Sequence, residues 1–253
     1  MAGHSKWAKV KHYKGGIDAK RGKIFAKLGK EMAVACKHGG GDPGFNPRLR
    51  TILMKARAAN MPADNIDRAI KKGTGELAGV NYEEVTYEGY ATGGVALLVE
   101  VLTDNKNRTA ADIRNIFTKH GGHLAGAGAV KHLFHRKGQL VVPKSAISED
   151  DLLALVLESG AEDMTTEDDA YEITTDPHQF ETVHKALETK SVKPQSAEIA
   201  NVPTTPVPVT DEKSARAVLA LVEALEEHDD VQNVYANFDI PDDVMERATA
   251  AAA

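Results

Sequence analysis

Between Ile17 and Lys37 two patterns run along one stretch of chain at the period of an α-helix. Ile17, Ile24, Leu28, Met32 and Ala35, together with Phe25, fall within roughly a third of the circumference when each residue advances ~100°. Lys20, Lys23, Lys27, Lys30 and Lys37 fall on a separate stripe of about the same width. Such a helix has to bury one side against other helices, and it offers a row of ammonium groups on another. The residues before it add Lys6, Lys9, Lys11 and Lys14, with Trp7 and Tyr13 among them. A row of this kind asks for regularly spaced negative charge, and nucleic acid is the usual source.

The helical grammar continues for two more elements. Gly39-Gly40-Gly41 ends the first helix, and Asn46-Pro47 supplies an N-cap followed by proline at the first helical position. Leu49, Ile52, Leu53 and Ala56 make the inward stripe of the second helix, flanked by Arg48, Arg50, Lys55 and Arg57. Asn60 closes it. Pro62 opens a third helix with Ile66, Ala69 and Ile70 inward, ending at Lys71-Lys72-Gly73. The spacing predicts a compact three-helix bundle over residues 1–77, with Thr74–Asn81 as a linker. This portion holds 17 Lys/Arg against 6 Asp/Glu, a net of +11. The remainder holds 14 against 31, a net of −17, and the two sum to the chain's −6. One module suited to a polyanion and another that repels it follow from that division.

Beyond Glu83 strands alternate with helices. Val85–Tyr90, Val95–Leu102 and Ala129–His135 read as strands around a helix from Thr109 to His120, with Gly121–Gly128 as a flexible connection. A βαββαβ order follows, the ferredoxin-like signature: strand Gln139–Val142, helix Ser148–Ser159, strands Ala161–Thr165 and Ala170–Thr174, helix Pro177–Thr189 and strand Val192–Ile199. A helix from Asp211 and a strand Val231–Phe238 remain after that unit is complete. The expected fold is therefore α+β and multidomain: the bundle (1–77), a middle α/β domain (82–138 plus 201–240), a ferredoxin-like domain (139–200) inserted into it, and a tail (241–253) whose end, Ala248–Ala253, is frayed.

Cys36 is the one cysteine, and its place beside the apolar stripe suits a small core residue. His120-x-x-His123 and His132-x-x-His135 lack a cysteine or carboxylate at matching spacing, so no metal site is expected. No nucleophile has an identifiable base nearby, and no catalytic residue, enzyme activity or cofactor is expected. Glu149-Asp150-Asp151, Glu167-Asp168-Asp169 and Glu226-Glu227-His228-Asp229-Asp230 read as solvated surface. No apolar run is long enough to span a bilayer, and the start has no signal-peptide core, which points to a cytoplasmic protein without a membrane partner.

Long motifs occur in a fixed order through about residues 1–140: Gly3-His4-Ser5-Lys6-Trp7, Asp18-Ala19-Lys20-Arg21-Gly22-Lys23-Ile24-Phe25, Gly39-Gly40-Gly41-Asp42-Pro43 and Ala59-Asn60-Met61-Pro62. Ile70-Lys71-Lys72-Gly73-Thr74-Gly75, Tyr87-Glu88-Gly89-Tyr90, Thr103-Asp104-Asn105, Asn107-Arg108-Thr109 and Lys119-His120-Gly121-Gly122 complete the run. With these the chain resembles the YebC/PmpR family. The resemblance implies three domains, one helical and two α/β. It also implies a regulator of gene expression. Bacterial members are described as transcriptional regulators that bind promoter DNA, and they have been tied to ribosomes stalled at consecutive prolines. Mitochondrial relatives are translational activators of cytochrome c oxidase subunit one. Residues and resemblance together lead to the expectation of a non-enzymatic nucleic-acid-binding regulator that acts on DNA, with an rRNA- or ribosome-associated translation factor as the alternative. It would be a monomer or weak dimer. The expected contact residues are Lys6, Trp7, Lys9, Lys11, Tyr13, Lys14, Lys20, Lys23, Lys27, Lys30, Arg48, Arg50, Lys55 and Arg57.

Overall fold

The structure, a computed structural model, describes residues 17–167 and 169–250. These divide into two compact units, residues 133–204 and the described residues on either side of them. In the larger unit, α1 (Ile17–Gly39), α2 (Pro47–Ala58) and α3 (Ala63–Thr74) pack around Leu28, Met32, Leu49, Ile52, Ala56 and Ala69. Asn46 fixes how the first two helices join. Its Oδ1 accepts from Leu49 N at 3.0 Å as the N-cap of α2, while its Nδ2 donates to Ala35 O and Gly40 O at the end of α1. At Asn60 the backbone turns through φ 55°, a left-handed conformation that asparagine tolerates. Gly73 lets α3 cross α1 closely, because a Cβ there would stand 2.5 Å from Ala33 O and from Cys36 Cβ.

A four-stranded antiparallel sheet follows, in the order β3-β1-β2-β9, from β1 (Glu83–Tyr90), β2 (Ala96–Thr103), β3 (His123–Leu124) and β9 (Val231–Ala236). Central β2 is the near-continuous apolar run of the sequence, and it is buried almost throughout. Helices α4 (Lys106–Lys119), α7 (Glu212–Glu226) and α8 (Asp242–Ala250) complete this core with Ile113, Phe117, Val218, Leu221, Val222 and Leu225 among its buried residues. β8 (Val207–Pro208) and β10 (Phe238–Asp239) make a small parallel pair beside it.

Two expectations need correction here. The 241–253 tail is not a tail as far as it is described. Val244, Met245 and Ala248 sit at helical spacing on α8, and all three are buried in the core of the larger unit. Nor does a strand run from Ala129 to His135. Lys131–Leu133 forms a 3₁₀ turn, and β4 begins only at Phe134. The reason is Glu88, whose Oε2 accepts from the successive N–H groups of Val130 and Lys131, both at under 3 Å. In a strand those two N–H groups would point to opposite edges.

In the smaller unit, β4 (Phe134–Pro143), α5 (Glu149–Glu158), β5 (Ala161–Thr166), β6 (Ala170–Thr175), α6 (Phe180–Thr189) and β7 (Ser196–Pro203) form an antiparallel sheet ordered β5-β6-β4-β7. This is the ferredoxin-like arrangement. Leu140, Ile173, Met164 and Ala197 share one register row on the side that packs with the helices. The rows on either side of it put Asp163, Glu172 and Glu198 on the opposite face. The last strand starts later than its sequence suggests, because Ser191 turns the chain at φ 56° and buried Val192 belongs to that turn.

Removing residues 242–253 is expected to lower the unfolding free energy by about 3–5 kcal/mol, since two large side chains lose their burial. Urea denaturation of the truncated chain measures this, and an unchanged midpoint would restore the reading of 241–253 as a tail.

Candidate nucleic-acid interface

Lys6, Trp7, Lys9, Lys11, Tyr13 and Lys14 lie outside the described residues, as does the side chain of Lys20. Lys23, Lys27 and Lys30 of the lysine row face the protein itself. Lys23 Nζ donates to Glu227 O at 3.3 Å, Lys27 Nζ to Glu226 O at 2.7 Å and Lys30 Nζ to Asp229 O at 3.0 Å. These carbonyls belong to the last residue of α7 and the turn after it, where a helix leaves acceptors unsatisfied and carries partial negative charge. Lysines spaced by four and three residues on α1 track the carbonyls of that helix end.

The row finishes on Asp230. Its Oδ1 accepts from Lys30 Nζ at 2.9 Å, and its Oδ2 accepts from Arg108 Nη2 at 2.8 Å and Thr109 Oγ1 at 2.9 Å. The residue is only 5% exposed. Burial by itself would raise this carboxyl's pKa; the bonds from Arg108, Lys30 and Thr109 outweigh it and hold the group well below the usual carboxylate range. The Glu226–Asp230 cluster is thus not merely solvated surface. Its carbonyls and one carboxylate are the counterpart of the lysine row. No local pattern shows this, because the partners lie about two hundred positions apart.

The other expected contacts divide. Lys37 bonds Asn81 Oδ1, and Arg48 pairs with Glu84. Arg50 Nη1 donates to Pro43 O at 2.7 Å and Gly44 O at 3.3 Å, bracing the loop between α1 and α2. Lys55 is half-buried and engaged, whereas Arg57 is exposed. Arg21, Arg68 and Lys72, which are not among the expected contacts, are also exposed on the bundle. Phe45, also outside the expected contacts, is 87% exposed at the α1–α2 loop.

The glycine-rich segment 121–128 is not simply a flexible connection. Glu88 accepts from Gly128 N at 2.7 Å through Oε1, besides Val130 and Lys131 through Oε2, so the protein's own carboxylate occupies this nest of N–H groups. Burial pushes the Glu88 pKa up and these three bonds pull it down, with a net lowering. An open cleft of about 470 Å³ lies beside the segment, lined by Tyr87, Glu88, Arg114, Leu124 and Gly126 among others. Among the described residues no group of three or more His, Cys, Asp or Glu is placed to hold a metal ion. None of the described helices is long and apolar enough to cross a membrane.

Comparison with known proteins matches residues 5–76 to the TACO1/YebC N-terminal domain and residues 82–238 to the TACO1/YebC second and third domain. The chain belongs to the TACO1/YebC family. Relatives named "Probable transcriptional regulatory protein" include one from Dictyoglomus turgidum, 55% identical over 97% of this chain and 99% of its own length. Another, from Treponema denticola, is 56% identical over 96% of this chain and 98% of its own. A crystal structure of a conserved hypothetical protein from Aquifex aeolicus has the same fold, with a TM-score of 0.82 and 50% identity over 90% of this chain and 94% of that one. Within this TACO1/YebC chain, Asn107-Arg108-Thr109 has a structural role: two of its three side chains bind Asp230.

Replacing Asp230 by Asn is expected to destabilise the protein by about 3 kcal/mol at neutral pH, because Lys30 and Arg108 lose a buried countercharge. The folded pKa is depressed. The contribution is therefore fully present above the unfolded value of about 3.9 and is lost as pH falls below it towards the folded value. Denaturation of both proteins from pH 7 to pH 2 should show the difference holding down to about pH 4 and shrinking below it. A difference that does not depend on pH would contradict the assignment.

Proposed function

We propose that this protein is a non-enzymatic, nucleic-acid-binding regulator of gene expression, and that the three-helix bundle and the lysine-rich residues before it make the contact. The observation that carries this reading is the segregation of charge, +11 over residues 1–77 against −17 over the rest. The acidic remainder of the chain would repel phosphates, which leaves the basic part to bind them. The names of its relatives support regulation of transcription, and hence DNA as the first partner to test.

Lys23, Lys27 and Lys30 are turned to the chain's own α7, so Arg57, Arg68 and Lys72 are the better candidates among the described cations, beside the lysines that precede Ile17. A second reading, an RNA- or ribosome-directed factor, is favoured by one observation. The bundle holds out an aromatic ring, Phe45, a side chain suited to stacking on unpaired bases.

Titration of labelled duplex DNA and single-stranded RNA at stepped salt tests the reading. Binding should weaken linearly in log K against log salt. Reversing Arg57, Arg68 and Lys72 to Glu should lower the slope by about 2–3 and leave the melting temperature within a degree or two. Equal affinity of the triple variant and the parent at low salt would remove this face from the interface. Sedimentation of the protein with ribosomes in a lysate treated with DNase, and its release by RNase, would favour the second reading over the first.

A further inference from the structure

The loop from Gly40 to Asn46 is more tightly held than a simple connection between two helices requires. Asp42 Oδ1 accepts from Gly44 N at 2.7 Å, and Asp42 O accepts from Phe45 N at 3.1 Å and Asn46 N at 3.0 Å. Arg50 clamps the Pro43 and Gly44 carbonyls from below, and Asn46 ties the loop to Ala35 and Gly40. The loop also rests on the last turn of α3, since a Cβ on Gly41 would stand 2.8 Å from Thr74 Cγ2 and 3.1 Å from Ile70 Cγ2. The backbone on both sides of Phe45 is hydrogen-bonded, yet its ring is 87% exposed. A phenyl ring left in water forgoes the gain of burial that its size could supply.

The charge around it narrows what the ring can meet. The adjoining helix ends are basic: Lys37 and His38 end α1, Arg48 and Arg50 begin α2, and Lys71 and Lys72 end α3, with Lys37, Arg48 and Lys71 partnered by Asn81, Glu84 and Asp67 and Lys72 exposed. The nearby carboxylate of Asp42 is tied to Gly44 N. An aromatic face in a basic surround fits an unpaired nucleobase with a phosphate on either side. A neutral apolar partner would gain nothing from the cations. We infer that Phe45 is a base-stacking residue for an unpaired nucleotide, presented by a loop whose backbone is held in advance. This rests on the nucleic-acid reading above and adds to it a site and a ligand class, single-stranded rather than duplex.

The test measures fluorescence anisotropy of labelled single-stranded RNA, single-stranded DNA and duplex DNA with the full chain and with Phe45→Ala, Phe45→Leu and Phe45→Trp. The Ala variant should bind single strands roughly tenfold more weakly, within the range of one lost base stack, and bind duplex as the parent does. The Trp variant should restore binding and the Leu variant should not. Melting temperatures should not move, because the ring packs on so little. A larger loss on RNA than on DNA would identify RNA as the source of the base, and equal losses would leave the site indifferent to the sugar. Parental affinity of the Ala variant for single strands overturns the inference and leaves the general reading standing. Full rescue by Leu overturns it in favour of an apolar protein anchor, as does a Phe45→Ala variant that loses a protein partner but no nucleic acid. No binding of any nucleic acid by the parent chain at low salt overturns both.

Discussion

One buried carboxylate, Asp230, holds three separate parts of the chain in register. Lys30 comes to it from the first helix, Arg108 and Thr109 from the start of α4, and its own backbone carbonyl accepts from Leu102 N at 2.8 Å at the end of β2. Burying an unpaired carboxylate is costly, and this site is tolerable because each oxygen has a donor. The same demand fixes the direction of α1. With Lys30 on Asp230, Lys27 and Lys23 fall one after another on the carbonyls that end and follow α7. Helix-end acceptors and a carboxylate thus do for the lysine row what phosphates would do elsewhere.

This changes how the basic charge should be read. A stripe of lysines on an amphipathic helix shows that anions or dipoles are needed along that face, but not whether they come from a ligand or from the chain itself. Here the chain supplies them, and Glu88 repeats the theme with opposite sign by occupying the N–H groups of the glycine-rich segment. In both places a feature that resembles a binding site is satisfied internally. Among the described residues, the positions that remain open include the exposed Arg21, Arg57, Arg68 and Lys72 and the ring of Phe45.

Local rules made much of the fold legible. The Asn46-Pro47 cap, the turn at Asn60, the glycine end of α1 and the βαββαβ order all depend on neighbours within a few residues, and each is where the sequence places it. The failures involve distant contacts. Ala129–His135 has the apolar content of a strand, but Glu88, about forty positions earlier, takes its N–H groups. Val244, Met245 and Ala248 form a short stripe that an alanine-rich ending conceals, and only the core they meet shows their purpose. The site was the least legible part. Periodicity predicted that the lysines share a face, and it could not predict that α7 would end against that face.

Lys27 and Lys30 are internal fasteners in the native protein. Brief acetylation at neutral pH, read lysine by lysine by mass spectrometry, tests this most directly, since Lys30 is only 18% exposed and Lys72 is open to solvent. Lys27 and Lys30 should react much more slowly than Lys72 in the free protein, and as fast as Lys72 once the chain is unfolded in urea. Equal rates in the native protein would mean that the row is open to solvent, and the account of its internal partners would be wrong.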